Sequence, residues 1–395
     1  MRKLMILPGT CHALGGTLIT LSLLIKGFEQ YGVREEFCVL VHAGSITQKY
    51  LQDAGQGAYL KVIAAPTEPE FFRKALQWVK QQPRDYPLLL DNCLNRSLLF
   101  TLVAAAPWMR WSGRPIYHFF HDLALSYNRM GEVLRKLICK CLAPQAICNS
   151  QFTAECIRRR LISDIVGILY QPVNTERFNV RVSCALPAPL EPILKSGAKL
   201  ILTPSRINQP KIVNDKNLRA LIPVLVSLKA SGHFYHSVVI GEDLSPGKIY
   251  SQELLQLAKD AGVEDRFTML PPTFAIEDYY QHASVVLTLA PREPFGRTVV
   301  EALACGVPVI GSKSGGIGEI LSNFAPEWMV DPEDAKAAAE AIVRVTTDAN
   351  TTQILEKARN WVHSECSVTS YAKKMMQITG IALPENNQKE LVQIS

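Results

Sequence analysis

One rhythm, used twice, constrains this chain more than any other feature. Short apolar runs alternate with segments of helical spacing up to about residue 180. The alternation breaks across residues 181–197 and then resumes. In the first half "KLMILP", "EEFCVLVH", "PLLLDN", "PIYHFFHD" and "QAICNS" read as strands. The segments "GGTLITLSLLIKGFEQYG", "FFRKALQWVKQQ" and "QFTAECIRRRL" read as helices. Such alternation predicts a parallel sheet covered by helices on both faces. The break, "RVSCALPAPLEPILKSG", carries Pro187, Pro189 and Pro192 and reads as a linker. In the second half "AKLILTPSR", "HSVVIGE", "FTML", "SVVLTLA" and "GVPVIGS" are the expected strands, and "AKAAAEAIVRVTTD" and "QILEKARNWVHS" are late helices. The expected architecture is two doubly wound α/β domains, residues 1–180 and 198–362, joined by the linker 181–197. A helical segment, 363–395, is free to cross back to the first domain. In open parallel sheets ligands sit beyond the carboxyl ends of the strands, so a crevice between the two domains is the expected site.

The bulk properties agree with two soluble-type domains. The 395 residues are 48% hydrophobic and 20% charged, enough apolar material for two cores. No run approaches the roughly 18 uncharged apolar residues that span a bilayer, and the longest candidate, 98–109, contains Pro107. The start "MRKLMILPGT" reads as a first buried strand rather than a signal peptide, because its apolar stretch ends at Pro8-Gly9. Ten cysteines are scattered without a C-x-x-C pair or a zinc-spaced histidine cluster, which points to reduced thiols and the cytosol. Residues 1–180 hold 21 Lys and Arg against 13 Asp and Glu, and the remainder 21 against 23. A basic first half fits an anionic membrane surface or an acidic acceptor. No zinc-finger or RNA-binding signature argues for nucleic acid. Arg129, Arg135, Lys136 and Lys140, with Arg158, Arg159 and Arg160, form either a solvated face or a dock for anionic lipid.

The stretch "EPFGRTVVEALACGVPVIGSKSGGIGE", 293–319, follows the apolar run 283–290. "RTVVEALACG" has helical spacing and stops at Gly306. The first amides of a helix have no intrahelical partner and form an anion site, which Gly296 leaves open to a phosphate. Glu301, about one turn inside, is repelled by phosphate but accepts hydrogen bonds from a neutral diol such as a ribose. Glu293, on the loop before the turn, would reach another neutral part of the same ligand. A ligand with central phosphates and hydroxyls at both ends is a nucleotide sugar. The ordinary explanation of Glu301 is a glutamate favoured early in a helix by the dipole.

The surrounding residues decide between these. Glu293-Pro294-Phe295-Gly296, Glu301-Ala302, Gly306-Val307-Pro308-Val309-Ile310 and Gly315-Gly316 with Glu319 closely resemble the nucleotide-sugar signature of the GT-B glycosyltransferases. The nearest match is glycosyltransferase family 4. More weakly, Gly15-Gly16, His121-Asp122, Ser150, "PVNTERF" at 172–178 and Arg206 fit the same family across nearly the whole chain. The resemblance implies the GT-B architecture, two Rossmann-like domains facing across a crevice. It implies that Glu301 binds the ribose, Glu293 a hydroxyl of the transferred sugar, and the amides of Phe295, Gly296, Arg297 and Thr298, with Pro294 beside them in the binding loop, the sugar and phosphate. Arg206 and a following lysine would neutralise the diphosphate, His121 would lie at the reacting sugar, and Gly15-Gly16 would permit close approach of phosphate or acceptor. Two lysines compete. Lys211 has the family spacing but precedes Ile212, whereas Lys216 has the family context "KNLRALI" and is preferred. Asn174 stands where an aspartate is common, and Pro271-Pro272 replace a frequent glycine.

No D-x-D pair is present, so Arg206, Lys216 and the helix N-terminus are expected to stabilise the leaving diphosphate without metal or other cofactor. The resemblance implies retention of configuration, for which a same-face transfer, with the leaving phosphate taking the acceptor proton, is the expected route. The expected function is sugar transfer from a nucleotide-diphosphate donor to a glycan or lipid-linked acceptor in envelope or exopolysaccharide assembly. The expected place is the cytoplasm, peripheral to the inner face of the plasma membrane. Two other readings remain: a non-hydrolysing nucleotide-sugar epimerase, and an inactive nucleotide-sugar-binding regulator.

Overall fold

The computed structural model describes residues 2–12, 15–95, 97–125, 129–181, 184–208 and 215–382. The chain divides into two compact units, 1–172 with 367–395, and 173–366.

The first unit runs β1 (Leu4–Pro8), α1 (Gly16–Gln30), β2 (Phe37–His42), α2 (Ile46–Asp53), β3 (Leu60–Ile63), α3 (Glu68–Gln81), β4 (Leu88–Asp91), α4 (Leu99–Trp111), β5 (Ile116–Phe120), α5 (Arg129–Leu142), β6 (Gln145–Cys148), α6 (Gln151–Arg160) and β7 (Ile165–Ile168). The second runs α7 (Glu191–Lys195), β8 (Lys199–Pro204), α8 (Leu221–Ala230), β9 (Tyr235–Ile240), α9 (Ile249–Asp260), β10 (Phe267–Leu270), α10 (Ile276–His282), β11 (Val285–Thr288), α11 (Arg297–Ala304), β12 (Val309–Ser312), α12 (Gly315–Leu321), β13 (Met329–Val330), α13 (Ala335–Val345) and α14 (Thr351–Cys366). A last helix, α15 (Val368–Thr379), belongs to the first unit.

The sheets have seven strands in the order β3-β2-β1-β4-β5-β6-β7 and six in the order β10-β9-β8-β11-β12-β13. Every pairing is parallel. Parallel strands are covered on both faces, which is why β1, β2, β4 and β5 are buried at every position and read as unbroken apolar runs. One face of the first sheet packs on α3, α4, α5 and α6, and the other on α1 and α15. Gly27 permits the second contact. A Cβ there would lie 2.6 Å from the Cβ of Ala372 and 2.7 Å from the Val368 carbonyl. Tyr371, Met375 and Met376 of α15 complete that core. In the second unit, residues 188–190 form a 3-10 turn that leads into α7, with Leu190 and Ile193 buried.

Both strand orders reverse direction once, between β1 and β4 and between β8 and β11. Loops beyond the carboxyl ends of such strand pairs are where open α/β sheets build sites. After β1 and β4 the two loops touch: a Cβ on Gly9 would stand 2.2 Å from the Asn92 carbonyl oxygen.

Candidate active site

The loop after β11 is fixed from behind by the start of α12. The Gly316 amide donates to the Glu293 carbonyl at 2.7 Å, and the Ser314 hydroxyl donates to the Pro291 carbonyl at 3.0 Å. Side chains are excluded at this contact. Gly315 is left-handed (φ 74°) and its Cβ would lie 2.8 Å from the Glu293 oxygen, while a Cβ on Gly316 would lie 2.5 Å from both Cα and O of Phe295. Phe295 is buried beside them. The second glycine pair of the motif therefore has a packing reason: it lets one backbone lie directly on another. Gly296, at φ 109° and ψ 56°, turns the chain into α11. Arg297 and Thr298 are the first two residues of that helix, and its first turn holds no acid, so the positive end of the helix is left uncompensated by its own side chains.

A second loop brings Lys216 to this place. Asn217 is left-handed (φ 51°), and its amide donates to the carbonyls of Leu289, at 3.3 Å, and Pro332, at 2.9 Å. Asp215 accepts the Asn217 amide at 2.7 Å and pairs with Arg219 at 2.8 Å. Held in this way, Lys216 places Nζ 2.5 Å from Glu293 Oε2, with both side chains still partly open to solvent. Seventy-seven residues separate the two, and the pair ties the loop after β8 to the motif loop.

Glu301 lies deeper. Its Oε2 accepts from the Tyr280 hydroxyl at 3.2 Å. Burial pushes its carboxyl up to about 6, and the Glu277 charge adds to the rise, against the pull of Arg297, Tyr280 and Arg177. A small part of its surface still reaches solvent, but it is densely enclosed by its neighbours, so the direction stands. Burial also holds the Tyr280 phenol well above its ordinary range, which keeps it a donor. Arg177 pairs with Glu277 at 2.7 Å.

Arg206 follows β8 and is exposed. Among the described residues it forms no ion pair or side-chain hydrogen bond that joins it to Lys216 and Glu293. Lys211 lies outside the described residues. Gly15, Gly16 and His121 lie in the first unit. Gly15 caps α1 in extended conformation, and a Cβ there would meet nothing within 4 Å. Neither fold nor backbone demands glycine at that position.

His121 is buried at the end of β5, and its ring is occupied on both sides. Nε2 donates to Asp91 Oδ1 at 2.6 Å, and Nδ1 accepts from the Gln171 amide at 3.3 Å. Its carbonyl accepts from the Asn149 amide at 2.9 Å. Asp91, with Asn92, also lines a small cavity bordered by Gly9, Thr10, Thr17 and Thr47. Asp91, Gln171, Asn217 and Tyr280 escape the motif reading. Asp91 had a signal, since it is the polar residue that ends the buried run "PLLLDN" at a switch point of the sheet. Gln171 and Tyr280 had none, because their partners are 50 and 21 residues away. Among the described residues no group of three or more His, Cys, Asp or Glu is placed to hold a metal ion.

Comparison with known proteins bears on the whole chain. A family model described as "Glycosyl transferases group 1" matches residues 196–362. D-inositol 3-phosphate glycosyltransferase of Rhodococcus erythropolis is 31% identical over 375 residues, 86% of this chain and 81% of that protein. N-acetyl-alpha-D-glucosaminyl L-malate synthase of Bacillus anthracis is 29% identical over 113 residues, 28% of this chain and 30% of the other. For this and two further curated relatives the aligned stretch spans only about 30% of their lengths. Among solved structures, Anabaena HepE in complex with UDP superposes with a TM-score of 0.76 at 18% identity, covering 96% of this chain and all of that one. A glycosyltransferase from Rickettsia africae gives 0.73 at 17%, with both chains covered in full. The first unit, which the family model leaves unmatched, is therefore accounted for by relatives that extend through it. With two Rossmann-like sheets, the motif loop at a switch point and a full-length relative above 30% identity, the chain belongs to the glycosyl transferases group 1 family and has the GT-B fold.

Proposed function

We propose that the protein transfers a sugar from a nucleoside-diphosphate donor to a hydroxyl of a glycan or lipid-linked acceptor, with retention and without metal. The observation that carries the reading is the Lys216–Glu293 pair beside the open N-terminus of α11. A cation paired with a carboxylate, on the loop that leads into a helix start, suits a ligand that is anionic at its centre and neutral at its ends.

The chemistry follows from that arrangement. In the free protein Lys216 neutralises Glu293. An arriving diphosphate offers Lys216 a stronger, doubly charged partner, and Glu293 is released to accept a hydrogen bond from a sugar hydroxyl. As the glycosidic bond breaks, charge grows on the bridging phosphate oxygen, and the α11 amides with Lys216 and Arg206 stabilise it. Glu301 holds the ribose. A buried carboxylate accepts hydrogen bonds from a diol most strongly when ionised, so its titration near 6 sets the acid limit of donor binding. The leaving phosphate, on the same face as the acceptor, takes the acceptor proton. His121, whose ring is held by Asp91 and Gln171, keeps its expected role at the reacting sugar.

HepE was solved with UDP and with UDP-glucose, which makes uridine nucleotides the first donors to test. The names of the relatives specify different acceptors, inositol 3-phosphate and L-malate, so a group-transfer role is common ground and the acceptor is specific to each protein. The proposed role is in envelope or exopolysaccharide assembly, at the cytoplasmic side. Ten free cysteines, seven of them buried or nearly so among apolar neighbours, are at home in a reducing compartment.

The test is a thermal-shift series with UDP, GDP, ADP and their sugars. A ligand that binds only the native state raises the melting temperature by mass action. One donor is expected to stand out, to lose its effect in Lys216→Ala, and to be consumed with equal rates in EDTA and in magnesium. No stabilisation by any nucleotide, or turnover abolished by EDTA, overturns the corresponding part of the reading.

A further inference from the structure

Two neighbouring helices of the first unit carry apolar residues on both of their faces. The inner face of α4 buries Leu99, Leu102, Ala105, Ala106 and Met109, and the inner face of α5 buries Ile138, Cys139 and Leu142. That accounts for their packing. Their outer faces should then be polar. Instead, α4 exposes Phe100, Ala104, Pro107 and Trp111, one residue every three or four, with Phe100 at 74% and Trp111 at 83% exposure. α5 exposes Met130, Val133 and Leu137 at the same spacing, with Met130 at 68%. Single exposed apolar residues need no explanation, but an apolar stripe on each of two helices in contact marks an interaction surface.

The charge around the stripes identifies the partner. The two helices carry five Lys and Arg (Arg110, Arg129, Arg135, Lys136 and Lys140) against one acid, Glu132. That acid is already shared by Lys136, at 3.0 Å, and Arg160, at 3.4 Å. Arg129, Arg110 and Lys140 are exposed. A second copy docking the same face would set these cations against themselves with no acid to answer them. An anionic bilayer accepts both parts: the stripes enter the acyl boundary, aromatic rings lie at headgroup level, and the cations meet lipid phosphates. We infer that the outer faces of α4 and α5 form a membrane-docking surface for anionic lipid. The cation triplet Arg158–Arg160 on α6 is then accessory, since Arg160 is tied to Glu132 and Arg159 reaches Glu155 at 3.6 Å. This inference rests on surface chemistry alone and is independent of the transferase reading.

The experiment is flotation of the full chain, without donor, with vesicles of phosphatidylcholine alone or containing about one third phosphatidylglycerol. Binding is expected only to the anionic vesicles, and raising salt from about 0.1 M to about 0.5 M should release most of it. Met130→Ser with Val133→Ser and Leu137→Ser should lower the partition coefficient at least about tenfold. Arg129→Gln with Lys140→Gln should do the same. All these side chains are exposed, so unchanged melting temperatures are expected and control for folding. Three results would each overturn the inference: equal binding by the stripe variant, binding indifferent to phosphatidylglycerol, or a wild-type dimer that the stripe variant dissociates in sedimentation. The last would assign the face to a second copy of the chain.

Discussion

Each unit places a carboxylate against a basic side chain at the end of its sheet, but the two pairs are built to different ends. In the first unit Asp91 and His121 lie almost out of solvent, and a third group, Gln171, occupies the remaining ring nitrogen. In the second unit Lys216 and Glu293 keep about a quarter and a fifth of their surface, and among the described residues neither side chain has a second partner. The first pair is complete and holds a ring in one orientation. The second is a provisional contact that an incoming anion can outcompete. Rigid positioning thus falls to one unit and exchange of charge partners to the other.

The largest effect is expected from breaking the provisional pair. Lys216→Ala removes the cation that both neutralises Glu293 and meets the diphosphate. Turnover should fall by about 10²–10³-fold, the range for losing one preorganised charge stabiliser. Stability should change by less than about 1 kcal/mol, because the pair is partly solvated. Glu293→Gln should cost turnover while retaining nucleotide binding, since Lys216 is then free for phosphate. If the two variants lose binding equally, the pair is structural and the contrast with Asp91–His121 disappears.

The glycine pairs allow a second contrast. Gly316→Ala would place a methyl 2.5 Å from the Phe295 backbone. The loop that carries Glu293 must shift, at a cost of about 3 kcal/mol, the upper end for overpacking. Gly15→Ala meets nothing within 4 Å and its backbone is extended, so stability should stay within about 0.5 kcal/mol of wild type. Urea denaturation of the two variants measures the difference. A loss of turnover in Gly15→Ala without a loss of stability would mean that a ligand approaches there.

What the sequence made legible follows the range of each signal. Both sheets could be read because buried parallel strands are short apolar runs, and α11 because Gly296 and Gly306 bracket a helical pattern. The three strands without a sequence signal, β3, β7 and β13, lie at sheet edges. β3 and β7 are only partly buried, and β13 has two residues, so none carries a strong apolar run. In the sequence α4 reads only as an apolar stretch with a proline inside; apolar on both faces, it has almost no helical periodicity to read. The site was legible where one segment carries it, at 293–301 with its glycines. The Lys216–Glu293 contact, the Asn217 staple and the Asp91–His121–Gln171 chain depend on loops 30 to 115 residues apart. No local pattern encodes which loop ends meet.

Glu301 sharpens the comparison through pH. Its carboxyl titrates near 6 in the folded protein, above its ordinary 4.5. The native state therefore binds more protons than the unfolded chain between those values, and stability falls as pH rises through this window. The expected loss is on the order of 2 kcal/mol. Glu301→Gln removes the buried charge, so above pH 6 the free variant should be more stable than wild type by a similar amount. Donor binding should weaken in the same variant, and in the wild type it should weaken as pH drops below 6. Melting temperatures with and without nucleotide from pH 4.5 to 8 show whether stability and binding move in opposite directions. Parallel movement would mean that Glu301 is a structural acid.

The smallest effect concerns a third group, His118, two residues from His121 on β5. Its ring is buried, and among the described residues neither nitrogen has a hydrogen-bond partner. Burial, with the nearby His121 adding to it, lowers its titration to about 3. The unfolded chain gains this proton near 6.5 and the folded chain refuses it until about 3, so the stability due to the neutral ring is complete above 6.5 and drains away as pH falls. His118→Leu removes two unsatisfied polar atoms at similar volume. It should stabilise the protein by about 1 kcal/mol at pH 7 and flatten the acid limb of its stability curve. Turnover should be unchanged, in contrast to Asp91→Asn, which leaves its own side chain in place but withdraws the charge that orients His121. Should His118→Leu instead lose turnover with its stability intact, the ring nitrogens of β5 serve the site together, and the completed pair of the first unit is larger than Asp91 and His121.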